Sequence, residues 1–163
     1  MPEDYTGSTD LPLTSKGLIQ VAKMSARAQK EFPPEFIWSS TLKRASQAAG
    51  ILADAVGCPV AYLDDLRERQ ETESIREFRA RAERILSSIE ENSKAYKRIA
   101  IVSHGGMITK LIESFLPLPH ENNVWFHSDN TGIHLLEQTP KWKIIRFANS
   151  TAHLNGDEPA ANG

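Results

Sequence analysis

One cysteine, Cys58, stands among 163 residues, which excludes an intrachain disulfide and a thiolate metal cluster. Its setting, Val56-Gly57-Cys58-Pro59-Val60, reads as a packed turn rather than a reactive thiol. Positive charge is not in excess: 19 Lys and Arg face 21 Asp and Glu, a net charge of -2. That balance argues against a nucleic-acid or anionic-membrane surface and leaves room only for a local basic pocket. No apolar run reaches the length that crosses a bilayer, and Met1-Pro2-Glu3-Asp4 is acidic where a secretory signal is basic. The expectation is a cytoplasmic protein with no membrane and no nucleic-acid partner. Internal repeats and linker-like stretches are also missing, so residues 1–154 read as one domain and 155–163 as a disordered tail.

What is present centres on Ile99-Ala100-Ile101-Val102-Ser103-His104-Gly105-Gly106-Met107-Ile108. A short β-rich apolar run ends in Ser-His, two glycines follow, and apolar residues then recur at helical spacing. This pattern predicts a buried strand that delivers one imidazole to a sheet rim. Beside it lies a helix N-terminus whose unpaired N–H groups favour an anion. In open α/β sheets ligands collect at these carboxyl ends of strands.

The rest of the chain alternates in the same way. Thr14 predicts an N-cap for a helix over 15–30, with Leu18, Val21, Ala22 and Ala28 inward and Lys16, Lys23, Arg27 and Lys30 toward water. A strand over 35–38 precedes a helix that carries a small-residue face of Ala45, Ala48, Ala49, Leu52 and Val56 and stops at Gly57. A strand over 59–63, a charged stretch over 64–71 and a helix over 74–92 come next. That helix bears a stripe of Phe78, Ala82, Ile85, Leu86 and Ile89. After the strand at 98–103 and a helix over 106–116, strands at 131–137 and 142–147 predict a hairpin at one sheet edge. The alternation indicates an α/β fold, a three-layer sandwich with a mostly parallel central sheet flanked by helices.

Three post-strand loops, 39–44, 64–71 and 104–106, should open on one rim, offering Arg44, Glu68 and His104. A guanidinium grips phosphate through a two-pronged fork, a carboxylic acid can protonate a leaving oxygen, and an imidazole can donate to a transferring group. Read singly, Arg44 is equally a solvated first-turn residue and Glu68 part of a wet charge run.

Longer motifs extend this. Tyr5-Thr6-Gly7-Ser8-Thr9-Asp10-Leu11-Pro12-Leu13-Thr14 runs on to Gly17 and Gln20, Ser39-Ser40-Thr41-Leu42-Lys43-Arg44-Ala45-Ser46-Gln47 opens a helix, and Leu66-Arg67-Glu68 precedes Glu73-Ser74-Ile75-Arg76-Glu77-Phe78-Arg79-Ala80-Arg81. With Val102-Ser103-His104-Gly105-Gly106 and the closing Asn149 to Leu154, these resemble, in order, the motifs of the histidine phosphatase superfamily, which includes the cofactor-dependent phosphoglycerate mutases. The resemblance implies that Arg44 clamps phosphoryl oxygens, His104 stabilises the transferring phosphoryl group and Glu68 donates a proton. It places Thr6, Gly7 and the Gly105 backbone on the substrate side. No cofactor and no metal is implied, and the partner is a phosphorylated small molecule or a phosphoprotein.

Two departures stand out. The family's first strand ends in Arg-His-Gly and carries the histidine that attacks phosphorus; no Arg-His-Gly occurs here, and counting back from Thr6-Gly7 puts it before Met1. His120, His127 and His134 do not replace it, nor does their spacing form a metal site. The middle is also short, with only Arg69 to Thr72 between the two motifs where the family carries part of a lid. The expectation is a phosphomonoesterase acting through phosphohistidine once that strand is supplied. The alternative is an inactive relative that binds a phosphorylated ligand or a protein, and a lesser one makes His104 itself the nucleophile. Loss of an interior strand leaves backbone groups unpaired, at about 1–3 kcal/mol for each one buried. The strands must close up, another segment must insert, or a second copy must cover the gap as a homodimer.

Overall fold

The computed structural model describes residues 10–157. Thr6 and Gly7, given substrate-side places by the resemblance, lie outside them, as does 158–163 of the tail. The sequence builds helices α1 (Ser15–Glu31), α2 (Lys43–Val56), α3 (Ile75–Glu91) and α4 (Gly105–Phe115). It builds strands β1 (Phe36–Ser39), β2 (Val60–Tyr62), β3 (Ile99–Val102), β4 (Ile133–Gln138) and β5 (Lys143–Ser150), with short 3-10 turns at Asp64–Leu66 and Ala152–Asp157. No helix among the described residues is long and apolar enough to cross a membrane.

Local chemistry accounts for the ends. The Thr14 hydroxyl accepts from the Gly17 amide and starts α1. Ser74 and Glu77 form a reciprocal capping box at the start of α3. Gly57 ends α2 with φ of 72°, a left-handed conformation that costs a side-chain-bearing residue more. The inward face of α1 differs from expectation. Val21, Ser25 and Ala28 are buried, whereas Leu18 is 43% exposed and Ala22 faces water. Arg27, expected outside, lies over the rings of Phe32 and Phe147, which its guanidinium can cover while bonding Ser150 and His153.

β2, β1 and β3 form a parallel sheet in that spatial order, with Trp38 opposite Ala61 on one side and Ile101 on the other. Helices cover it: Ile37, Ala49, Leu52 and Ala28 make one buried cluster, and Leu66, Phe78, Ile85, Ile89 and Met107 another. The predicted hairpin forms, with β4 antiparallel to β5, but it is a separate two-stranded sheet rather than an edge of the central one. β3 is therefore an edge strand on one side among the described residues, and so is β4. The consequence appears in burial: all four residues of β3 are half-buried, while Ile37 and Ser39 of central β1 are fully covered. Yet Ala100 and Val102 of β3 and Ile133 and Leu135 of β4 pack on the same cluster. The two sheets flank one core without hydrogen-bonding to each other.

Candidate active site

Because β1, β2 and β3 run parallel, their carboxyl ends share one rim, and three loops leave from it. Backbone and side-chain bonds lock those loops together. The Ser40 amide donates to the Val102 carbonyl at 2.9 Å, the Leu63 amide to the Ser39 carbonyl at 2.8 Å, and the Ser103 hydroxyl to the Leu66 carbonyl at 2.5 Å. The Thr41 hydroxyl donates to Asp64 at 2.6 Å. Asp10 accepts from the Lys43 amide at 2.7 Å and thereby caps α2, whose own N-cap Leu42 has no capping side chain. This anchors the segment that follows Thr6 and Gly7 to the rim.

His104 sits at the N-cap of α4, and its Nε2 lies 2.9 Å from the Ser40 hydroxyl. Ser40 also accepts from the Leu42 amide, so its own hydrogen is available to Nε2. In the neutral ring this leaves Nδ1 as the donor for a bound anion. Burial pushes the His104 pKa down, Arg44 adds to that, and Glu68 and Asp10 oppose it. The charges of Arg44 and Glu68 thus both reach the imidazole, Arg44 from the first turn of α2 and Glu68 from its bonds to the first turn of α4. Arg44 is exposed and makes no hydrogen bond or ion pair to another described residue.

The helix N-terminus behaves differently from expectation. Its second and third amides are already taken within the chain: Glu68 accepts from the Gly106 amide and from the Met107 amide, each at 3.0 Å. The approach is so close that a Cβ on Gly106 would lie 2.5 Å from Glu68 Oε1, which is why glycine stands there. The Gly105 amide, at the first helical position, has no acceptor within its own helix and is the donor left for a ligand.

Sequence reasoning missed Ser40, Asp10, Glu73 and Arg81 as members of this construction. Arg81 was legible as unusual, since it falls three residues after Phe78 and four before Ile85, on the apolar stripe of α3. Cys58 is half-buried and its pKa is raised by that burial, in keeping with an inert thiol. Among the described residues no cluster of His, Cys, Asp or Glu could hold a metal ion.

A pH dependence follows from His104. Folding depresses its pKa, so between the folded and unfolded values the unfolded chain binds a proton that the folded one does not. This contribution to stability is complete above the unfolded pKa of about 6.5 and is lost as pH falls through the folded value. His134, lowered by burial, and His153, lowered by burial and by Arg27, act in the same direction. Thermal midpoints should fall on going from about pH 7.5 to about pH 5, and His104→Gln should remove part of that slope. A slope unaltered by the substitution would contradict the burial of a neutral ring.

Comparison with known proteins agrees with this geometry. The family model described as the histidine phosphatase superfamily (branch 1) matches residues 2–72 and 69–151, two segments that meet where the chain is short. The uncharacterized phosphatase PhoE of Bacillus subtilis is 27% identical over 92% of this chain and 88% of its own length. A metal-independent phosphoserine phosphatase of Arabidopsis thaliana is 26% identical over 91% of this chain and 75% of its own. Among solved structures, a mycobacterial glucosyl-3-phosphoglycerate phosphatase in complex with VO3 superposes with a TM-score of 0.73 over 86% of this chain and 88% of its own, at 19% identity, a likeness of fold.

Proposed function

Since the chain belongs to the histidine phosphatase superfamily (branch 1), we propose that its rim binds the phosphoryl group of a phosphate monoester and, given a nucleophilic histidine, hydrolyses it. What supports this reading is that His104 caps α4 just beyond β3 while Arg44 opens α2 just beyond the parallel neighbour β1, near enough for its charge to act on the imidazole. Arg44 contributes a full positive charge and a planar fork for two phosphoryl oxygens. His104 contributes an N–H whose other nitrogen is fixed by Ser40, and Gly105 a backbone amide. Glu68 lies beside them as proton donor to the leaving oxygen.

In this reading a histidine attacks phosphorus, the P–O bond to the leaving group breaks as that oxygen takes a proton, and water then cleaves the phosphohistidine. The edges of β3 and β4 that no described residue pairs favour the supply of that histidine by an added strand. A second copy of the chain, seated on those edges as a homodimer, is the other way to satisfy them, and sedimentation distinguishes it. Without a nucleophile the same pocket binds and does not turn over, which is the inactive-relative reading. The short connection at 69–72 leaves the mouth open to a small organic phosphate or to a phosphorylated side chain on a protein.

Titration with orthophosphate tests the pocket directly. Binding is expected for the chain as it stands, weakened about 10- to 100-fold by Arg44→Ala, the loss of charge-assisted bonds to the anion. No binding, or binding indifferent to Arg44, would overturn the reading.

A further inference from the structure

Arg81 projects from the apolar stripe of α3, its side chain 3% exposed, and all its N–H groups are engaged. Nη1 donates to the carbonyls of Asp65 at 2.6 Å and Arg67 at 2.8 Å. Nη2 donates to the carbonyl of Glu68 at 3.3 Å and to Glu73 at 2.7 Å, and Nε donates to Glu73 at 2.8 Å. One guanidinium therefore gathers three carbonyls of the loop that carries Glu68, with its plane set by one carboxylate. Glu73 also accepts from the Gln70 amide.

From this geometry we propose that Arg81, oriented by Glu73, is a positioning residue that holds Glu68 at the rim; the inference rests on Glu68 as the proton donor. Glu68 is gripped from two sides. Arg81 of α3 holds its main chain from behind, and the first turn of α4 holds its carboxylate in front through Gly106 and Met107. Leu66 packs the start of the loop against α3, but the polar part beyond it is not covered. A cleft of about 440 Å³ opens there, lined by Asp65, Arg67, Glu73 and Arg81, into which the chain could relax. The hydrogen bond from Arg81 holds the Glu73 carboxyl below its ordinary range, so the orienting charge persists near neutral pH. A lysine at 81 presents three donors around one point and cannot serve three carbonyls and a carboxylate together.

Amide hydrogen exchange reads this position without requiring catalysis. Gly106 and Met107 occupy the second and third places of α4, where amides have no acceptor in their own helix, so their protection comes from Glu68. Arg81→Lys is expected to speed exchange at both amides about 10-fold or more, from loss of bonds to a charged acceptor. Glu73→Gln should do so to a smaller extent, and it decides the matter alone if the lysine variant does not fold. Arg79→Lys is the matched control. Arg79 is equally buried on the same helix but engages Glu113 and the carbonyls of Leu118 and Pro119. It should lower the melting temperature and leave Gly106 and Met107 protected. Unchanged exchange in the Arg81 and Glu73 variants, or equal loss with Arg79→Lys, overturns the proposal. Failure of orthophosphate to bind the wild-type chain, with these exchange results intact, would overturn the phosphatase reading and leave the brace standing.

Discussion

Replacing Glu113 by alanine is expected to lower the melting temperature by about 6–20 °C, the largest stability loss of any single surface-distant substitution considered in this fold. Glu113 is fully buried between α3 and α4. It pairs with Arg79 at 3.1 Å and Lys110 at 3.0 Å and accepts from Asn122 at 3.2 Å. Arg79 completes its own set with the carbonyls of Leu118 and Pro119 and the hydroxyl of Ser114. Removal of the carboxylate leaves the buried guanidinium with only the half-exposed Glu83 carboxylate, 3.4 Å away, as a charge partner, and leaves Lys110 without its own. Breaking such a pair costs about 3–5 kcal/mol, a large part of the roughly 5–15 kcal/mol that holds a domain folded. The pair itself is a different matter from its rupture. Arg79→Met combined with Glu113→Leu should recover much of the loss, because the desolvation of both ions is relieved together. A thermal melt of Glu113→Ala within about 2 °C of wild type would show that water or a rearranged neighbour satisfies Arg79.

The grip on Glu68 uses the same two helices but other residues. α3 carries Arg81, which holds the main chain of Glu68, and α4 carries the two amides that hold its carboxylate. Arg79 and Glu113 bolt those helices to each other a few residues further along. The hold on Glu68 is thus shared by groups of α3 and α4 that the Arg79–Glu113 pair does not itself touch.

Much of this was legible in the sequence because local rules were strong. Thr14, Ser74 and Gly57 mark helix ends through groups that sit within four residues of each other, so no tertiary information is needed. The Ala45, Ala48, Ala49 and Leu52 face and the Phe78 to Ile89 stripe follow from helical period alone. The rim was legible because parallel strands put all their carboxyl ends on one side. What stayed hidden depends on partners distant in the chain. Glu68 reads as one acid in a charge run until Gly106 is placed 38 residues away. Arg81 stands out on the apolar stripe, but what it and Arg79 hold is visible only once the carbonyls and carboxylates around them are in view. The hairpin forms as predicted, but a predicted hairpin does not say which sheet it joins, and among the described residues β4 and β5 pair only with each other.

That separation of sheets sets up the second large effect. An upstream strand of apolar residues ending in Arg-His-Gly, joined ahead of Met1, should enter between β3 and β4. Each offers a backbone edge unpaired among the described residues, and Ala100, Val102, Ile133 and Leu135 already pack on the cluster that its side chains would extend. Laid parallel to β3, the strand ends where β3 ends, beside His104, and brings its histidine to the mouth shared with Arg44 and Glu68. Two gains follow, and they separate. Pairing on both edges raises the melting temperature, each backbone bond contributing about 0.5–1.5 kcal/mol. The added imidazole supplies the covalent step, so hydrolysis of p-nitrophenyl phosphate should rise about 1,000-fold or more over the 163-residue chain. His104→Ala in the extended chain should remove most of that rise. An extension ending in Arg-Ala-Gly should keep the thermal gain and lose the catalytic one, since an alanine can complete a ladder but cannot carry a phosphoryl group. If the histidine-bearing extension leaves both the melting temperature and the rate where they were, the gap does not accept a strand and the covalent mechanism has no place in this fold.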